Sequence, residues 1–214
     1  MKPLKTFDNL SRIKQERITR IAVEEFSEKG YAGASINAMV RRLGIAKGSI
    51  FQYFGDKRGL FLFVFNTAME KVKDYLRTVR DETASEDLFT ALEATLTAGV
   101  IFMQKHPVIY RLYIKTLFED DIPFRSEILR SLREDSFKYF RSLLERARAG
   151  GELRPDLDLD KAAFVLDALM DRFLLARTVP HLDAGLGIYG CSDDAARQWI
   201  AQIREMVRTG IGSP

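Results

Sequence analysis

Lys47, Ser49, Gln52 and Tyr53 are hydrogen-bonding side chains spaced along one short helical pattern. Ile50 and Phe54 lie four residues apart on that pattern, so they share a face that can pack inward and leave the polar set pointing out. The chemistry such a set can do is recognition of base edges. A lysine ammonium favours guanine acceptors, and a glutamine amide can pair bidentately with adenine. If this helix meets DNA, Lys47, Ser49 and Gln52 would reach bases, with Asn37 reaching a base edge from the preceding helix. A side chain at Gly48 would stand between the helix and the DNA backbone. Glycine there costs about 1 kcal/mol of helix propensity relative to alanine. Arg41 and Arg42 read as general phosphate attraction or as plain solvated charge.

These residues need two helices to position them. In Ser35–Leu60, two short helical patterns flank Leu43-Gly44-Ile45. Ser35 can cap the first, whose inward face is Ile36, Met39 and Val40, and Gly44 suits a turn with positive φ. The second is expected to begin near Ala46 or Lys47 and to end at Phe54, before Gly55. Two short helices joined by a tight glycine-containing turn form a helix-turn-helix, whose second helix fits the major groove. Spacing alone is equally compatible with an αα-corner that carries a solvated polar face.

Charge is distributed in keeping with nucleic acid at one end. The 214 residues carry a formal net charge of +3, but residues 1–60 hold 12 Lys/Arg against 6 Asp/Glu, and the rest 21 against 24. A basic N-terminal part on a mildly acidic body suits a polyanion at that end only. The chain is 46% hydrophobic and 29% charged, enough to bury a sizeable core. Cys191 is the only cysteine, so an intramolecular disulfide is impossible and a reducing cytoplasm is the expected compartment. No secretory pattern opens the chain, and the most apolar run, Leu60 to Phe65, is too short to span a bilayer.

In chain order, residues 1–10 read as a loose arm in which Lys2 and Lys5 can meet the DNA backbone. Ser11 to Lys29 is an amphipathic helix with Ile18, Ala22 and Phe26 on one face, stopped by Gly30. Asp56 can cap a long helix from Lys57 to about Arg80. Further helices are expected from Ser85 to the residue before His106, from Pro107 to Phe118, and from Pro123 to Ala149. The last two run from Asp158 or Asp160 to Arg177 and from Asp193 to Arg208. With no convincing strand and no repeat, the expected fold is all-α with about nine helices.

The N-terminal stretch resembles the signature of the TetR/AcrR family of bacterial transcriptional regulators. The residues that carry the resemblance are Ser35, Met39-Val40, Gly44-Ile45-Ala46, Gly48, Phe51, Tyr53-Phe54, Lys57 and Leu60, preceded by Ile18, Ala22, Phe26, Gly30 and Tyr31. It implies a three-helix DNA-binding domain over 1–56 and a larger helical domain over 57–214 for effector binding and dimerisation. It also implies that Ser35, Tyr53 and Lys57 contact phosphates, which fix register without reading sequence. Two positions depart from the pattern. Ala46 stands where serine is frequent, removing a side-chain cap worth about 1 kcal/mol, and Phe51 replaces a tyrosine and its hydroxyl.

The helix over 160–177 is apolar on most sides, so it must bury against more than its own core. By resemblance it pairs with the final helix and with both copies in a partner chain. The expected interface residues are Ala163, Leu166, Met170 and Leu174 on one helix, and Trp199, Ile200, Ile203 and Met206 on the other. A two-fold dimer would place two recognition helices about one DNA turn apart on a roughly palindromic operator. The alternative is that these residues fill a single monomer core. The resemblance also implies a pocket for a small, largely apolar effector whose binding releases the operator. Phe102, Tyr110, Tyr113, Phe137, Phe140 and Phe173 would line it, with Tyr110, Tyr113, His106, Asp167 and Asp171 as polar anchors. The same aromatics at helical spacing also suit solid core.

An enzyme is the obvious different reading. Two histidines, His106 and His181, and one cysteine fall in no nucleophile or metal-ligand pattern, and no phosphate-binding glycine loop is present. No catalytic, metal or cofactor site is expected. The expected function is a dimeric, ligand-responsive transcriptional regulator, most simply a repressor. A structural DNA-binding factor without a ligand switch and a purely protein-binding helical dimer are the alternatives.

Overall fold

The computed structural model describes residues 5–213. Among them the chain forms ten helices: α1 (Lys5–Asp8), α2 (Arg12–Gly33), α3 (Ile36–Leu43), α4 (Lys47–Phe54), α5 (Lys57–Glu82), α6 (Leu88–Lys105), α7 (Pro107–Phe118), α8 (Arg125–Ala149), α9 (Leu159–Thr178) and α10 (Asp193–Ile211). The fold is all-α. The one addition to the expected set is α1, where a loose arm was expected. Phe7 is only 3% exposed, and burying its ring orders the turn around it. Lys2 lies outside the described residues, as does the Lys5 side chain.

Helix starts follow local hydrogen-bond chemistry. Asp158 caps α9 by accepting from the Asp160 and Lys161 amides at 3.1 and 3.2 Å, and Ser192 caps α10 through the Ala195 amide. Asp56 accepts from the Gly59 amide at 2.7 Å, which fixes the start of α5. The start of α6 differs from expectation. Asp87, not Ser85, caps it, accepting from the Phe89 and Thr90 amides at 2.8 and 2.9 Å and from the Thr90 hydroxyl at 3.0 Å. Burial pushes the Asp87 carboxyl up, but the bonds from Thr90 and Phe89 outweigh it, so its pKa lies below the usual aspartate range. A carboxyl depressed in the folded state stabilises above its unfolded pKa, and that stabilisation is lost as pH falls through the folded pKa. Asp87→Asn keeps a capping oxygen without the titration. It is expected to change stability near neutral pH by less than about 1 kcal/mol and to flatten part of the acid decline in urea-unfolding midpoints.

Two compact units emerge. One takes the chain up to Asp74 together with Met103–Glu127, and the other comprises Tyr75–Phe102 with Ile128–Pro214. Helices α5, α6 and α8 each contribute residues to both. The core of the first unit is an aromatic set. Phe26 and Phe61 meet edge to face at 4.9 Å, and Phe124 packs on Phe61 at 5.7 Å and on Tyr31 at 5.1 Å. Met39, Ile50 and Leu60 are buried in the same unit, and α7 packs along α2. The core of the second unit joins Leu88, Phe89 and Leu92 of α6 to Phe140, Leu143, Leu144 and Ala147 of α8 and Ala162, Ala163 and Leu166 of α9. An isolated antiparallel bridge between Leu153 and Gly212 ties the end of α10 to the turn after α8.

Candidate nucleic-acid interface

The α3–α4 pair has the expected geometry. Ser35 accepts the Ala38 amide at 3.3 Å to start α3. Gly44 ends it in the left-handed region (φ 67°, ψ 35°), with the Gly44 and Ile45 amides returning to the Arg41 and Val40 carbonyls. A side chain other than glycine would be strained at that φ. Helix α4 then runs with Ile50 and Phe54 buried at 1% and 4% exposure. Lys47, Gly48 and Gln52 are exposed, and Ser49 and Tyr53 are half-buried at the flanks. The Gly48 Cα faces open space, so this face can approach a ligand backbone closely. Phe51 is 41% exposed on the Lys47 flank, four residues on.

Around this face sit the other positions expected to touch DNA. Asn37 is exposed in the first turn of α3. The Ser35 hydroxyl already accepts as a cap, but its own hydrogen remains a donor. The Lys57 ammonium donates to the Ala32 carbonyl at 3.0 Å and lies 5.1 Å from the Tyr31 ring centroid. Burial pushes its pKa below the usual lysine value, with Asp121 and Glu25 pulling the other way. An ammonium carries three N–H groups, so a phosphate can share Lys57 with that carbonyl. Arg42 is tied to Glu24 by an ion pair, and Arg41 is exposed.

Two residues packed against these helices carried no signal in the sequence. Glu25 on α2 is 8% exposed, and its carboxylate accepts the Ser35 amide at 3.0 Å, fixing the N-terminus of α3 from behind. Phe7 lies against Tyr53 and Phe54 of α4. Helix periodicity could not reveal either, because each acts across the fold rather than along its own helix.

The residues expected around an effector divide between the units. His106, Tyr110 and Tyr113 belong to the first, where the two tyrosine rings lie 5.8 Å apart. Burial, followed by the charges of Lys71 and Lys105, lowers the His106 pKa. Phe102, Phe137, Phe140, Asp171 and Phe173 belong to the second. There Phe102, Phe140 and Phe173 are buried, whereas Phe137 is 37% exposed. Asp171 is ion-paired with Arg133, which also meets Asp167 at 3.1 Å, and Ser136 donates to Asp167. The partly buried polar cluster is thus Arg133, Ser136, Asp167 and Asp171 on α8 and α9.

The outward side of α9 is offset from expectation. Ala163, Leu166 and Ile200 are buried at 0%, 4% and 2%, and so belong to the interior of the second unit. Met170 packs against that core, and Leu174 fills the space beside Gly99. The exposed apolar residues of α9 are Phe164 (69%) and Val165 (56%), with Ala168 following. Leu159, Ala162, Ala163 and Leu166 join the core with α6 and α8, and Phe164 and Val165, on the other side of the helix, are left outside. On α10, Met206 is 66% exposed, and Trp199 and Ile203 are half-buried on the same side. An open apolar hollow of about 270 Å³ lies here, lined by Leu169 and Phe173 of α9, Leu182, Leu186 and Ile188 of the following loop, and Trp199 and Ile203 of α10. The Asp183 carboxylate organises that loop by accepting the Gly185, Ile188 and Tyr189 amides at 3.2, 3.0 and 3.2 Å. No described helix is long and apolar enough to cross a membrane, and the described residues contain no group of three potential metal ligands.

Comparison with known proteins places both parts of the chain. Residues 18–64 match the family model for bacterial regulatory proteins of the tetR family, and residues 86–178 match the tetracyclin repressor-like C-terminal domain. A crystal structure of a TetR family transcriptional regulator from Chloroflexus aurantiacus J-10-FL is 32% identical and superposes with a TM-score of 0.72 over 100% of both chains. The HTH-type transcriptional repressor AcnR of Corynebacterium efficiens is 25% identical over 191 residues, covering 88% of this chain and 87% of the repressor. The HTH-type transcriptional regulator YerO of Bacillus subtilis is 25% identical over 187 residues, 74% of this chain, and the match spans 64% of YerO's length.

Proposed function

The chain belongs to the TetR family of transcriptional regulators, and on that premise we propose that it is a dimeric repressor that reads a roughly palindromic operator and is released by a small, largely apolar effector. The family and its relatives are regulators, not enzymes, and they act on DNA as dimers. The observation that carries the reading is the outward face of α4. It presents Lys47 and Gln52 to solvent beside an unobstructed Gly48, on a helix held from behind by Ile50 and Phe54.

On this reading Lys47, Ser49 and Gln52 reach base edges in the major groove, with Asn37 beside them, and Ser35, Tyr53 and Lys57 hold phosphates. The two classes differ in what their loss does. Gln52→Ala is expected to cost about 1–3 kcal/mol against the cognate base and to relax preference at that position alone. Lys57→Ala is expected to weaken binding to all sequences alike and to lower the slope of log affinity against log salt by about 1. Titrating a panel of operator variants at several salt concentrations separates them. If both variants weaken all sequences equally, Gln52 makes no base contact.

A second copy supplies the partner. The support is apolar surface left outside on the last two helices, Phe164 and Val165 on α9 and Met206 on α10, which a two-fold interface would cover. Sedimentation as a monomer at micromolar concentration would remove this support. Effector release requires a ligand that binds the operator-free state more tightly. The Arg133–Asp167–Asp171 cluster is the polar anchor we assign to it within the second unit, to which Phe137 and Phe173 also belong. A ligand of equal affinity with and without operator contradicts this release. As a DNA-bound regulator the protein would work in the bacterial cytoplasm.

A further inference from the structure

Helix α4 has little to hold it in shape by itself. It is eight residues long, has Ala46 at its N-cap with no side-chain hydrogen bond, and contains Gly48 near its start. Short helices with a weak cap owe their order to tertiary packing. Ile50 and Phe54 supply that packing on the inward side, which leaves the orientation of the Tyr53 flank to be set by something else.

The segment around α1 occupies that flank. The Phe7 ring meets Tyr53 edge to face at 6.0 Å and 64°, and touches both Phe54 and Phe63 at 5.0 Å. The Thr6 hydroxyl donates to the Gln52 carbonyl at 2.7 Å, taking up an acceptor in the last turn of α4 that the helix itself leaves unsatisfied. The segment is in turn clamped from α2. The Gln15 side-chain amide donates to the Phe7, Asp8 and Leu10 carbonyls at 3.1, 3.2 and 3.1 Å. One glutamine thus holds three backbone groups of a stretch whose only buried side chain, among the described residues, is Phe7.

We propose that this N-terminal segment is a brace for the recognition helix and that Phe7 is a positioning residue, setting the Tyr53 ring so that its hydroxyl meets a phosphate. The proposal rests on the reading of Tyr53 as a phosphate contact. Phe7 touches no DNA itself. It acts through the ring it abuts, and Gln15 acts through Phe7. Operator affinity therefore depends on a residue 46 positions before Tyr53 that has no charge and almost no exposed surface.

A double-mutant cycle on the full-length protein tests this, with operator affinity and the melting transition both measured. Tyr53→Phe keeps the ring and removes only the hydroxyl, and is expected to weaken binding by about tenfold, as for loss of a hydrogen bond to a charged group. Phe7→Ala is expected to weaken it by a similar factor alone, but by about twofold or less when Tyr53 is already Phe, because the contact it positions is gone. If Phe7→Ala does not fold cooperatively, Phe7→Leu, which keeps an apolar side chain, takes its place in the same cycle with the same expectation. Multiplicative losses in the double variant, about a hundredfold together, would overturn the brace while leaving Tyr53 as a phosphate contact. An unchanged affinity in Tyr53→Phe alone would overturn the phosphate contact and with it the brace.

Discussion

Phe26→Ala is expected to destabilise the DNA-binding unit by about 3–5 kcal/mol, the range for removing a fully buried phenylalanine. Phe26 has no exposed surface, and its ring is shared between two others, edge on to Phe61 at 4.9 Å and stacked on Tyr31 at 6.4 Å. Phe61 is itself held by Phe65 and Phe124, at 6.2 and 5.7 Å, so the surrounding rings cannot collapse into the space without giving up contacts of their own. The cost is therefore the lost transfer energy together with a cavity that relaxes little. Urea unfolding followed by tyrosine fluorescence reads the loss directly. Ile13→Ala is the matched control. Ile13 is 78% exposed, and its removal is expected to change stability by less than about 0.5 kcal/mol. A Phe26→Ala change as small as the control would mean that the ring cluster is not the core of this unit.

The second large effect is expected at Gly30, where Gly30→Ala should cost about 1–3 kcal/mol through backbone strain. Gly30 interrupts the helical angles of α2 with φ 68° and ψ −177°, a combination that residues with a Cβ rarely adopt. The turn it makes brings Tyr31 into the aromatic core and lets the chain re-enter at Ser35 to begin α3. A Cβ at Gly30 would also lie 2.1 Å from Oε2 of Glu119, whose other oxygen is paired with Lys115 at 2.7 Å. The two causes separate experimentally. Glu119 is the end of a flexible side chain and can move aside, whereas the backbone angles cannot change without displacing α3. Gly30→Ala combined with Glu119→Ala is therefore expected to keep most of the destabilisation of Gly30→Ala. Full recovery in the double variant would mean that the carboxylate contact, not the backbone, imposes glycine.

The helix-turn-helix was legible in the sequence because its determinants are local. The Ser35 cap, the left-handed Gly44, and Ile50 and Phe54 four residues apart each act within a turn or two of their own position. Exposure of Lys47 and Gln52 followed from the same periodicity. Features that depend on distant partners were not legible. Phe7 is a single aromatic in a polar stretch, and nothing near it indicates that Phe54 and Phe63 will enclose it. The outward side of α9 was misplaced because that helix is apolar nearly all round. Which of its apolar sides meets α6 and α8 depends on those helices, which periodicity along α9 does not encode. The start of α6 was placed too early for a related reason. Ser85 and Asp87 are both capping residues, and Asp87 prevails by reaching two amides and the Thr90 hydroxyl, with Glu152 accepting the Leu88 amide from across the fold. The aromatic residues named for a pocket illustrate the same limit. Ring type and spacing do not distinguish Phe140, packed in a core, from Phe137, which is partly exposed.

Selection of bound fragments from a random DNA pool, followed by titration of the best site across salt concentrations, tests the central claim most directly. The account predicts a roughly palindromic site with half-sites about one helical turn apart, and an affinity that falls steeply as salt rises. An enriched site without two-fold symmetry would contradict the dimer. No enriched sequence at all, with binding that depends on salt alone, would contradict sequence-specific regulation and leave a structural DNA-binding factor in its place.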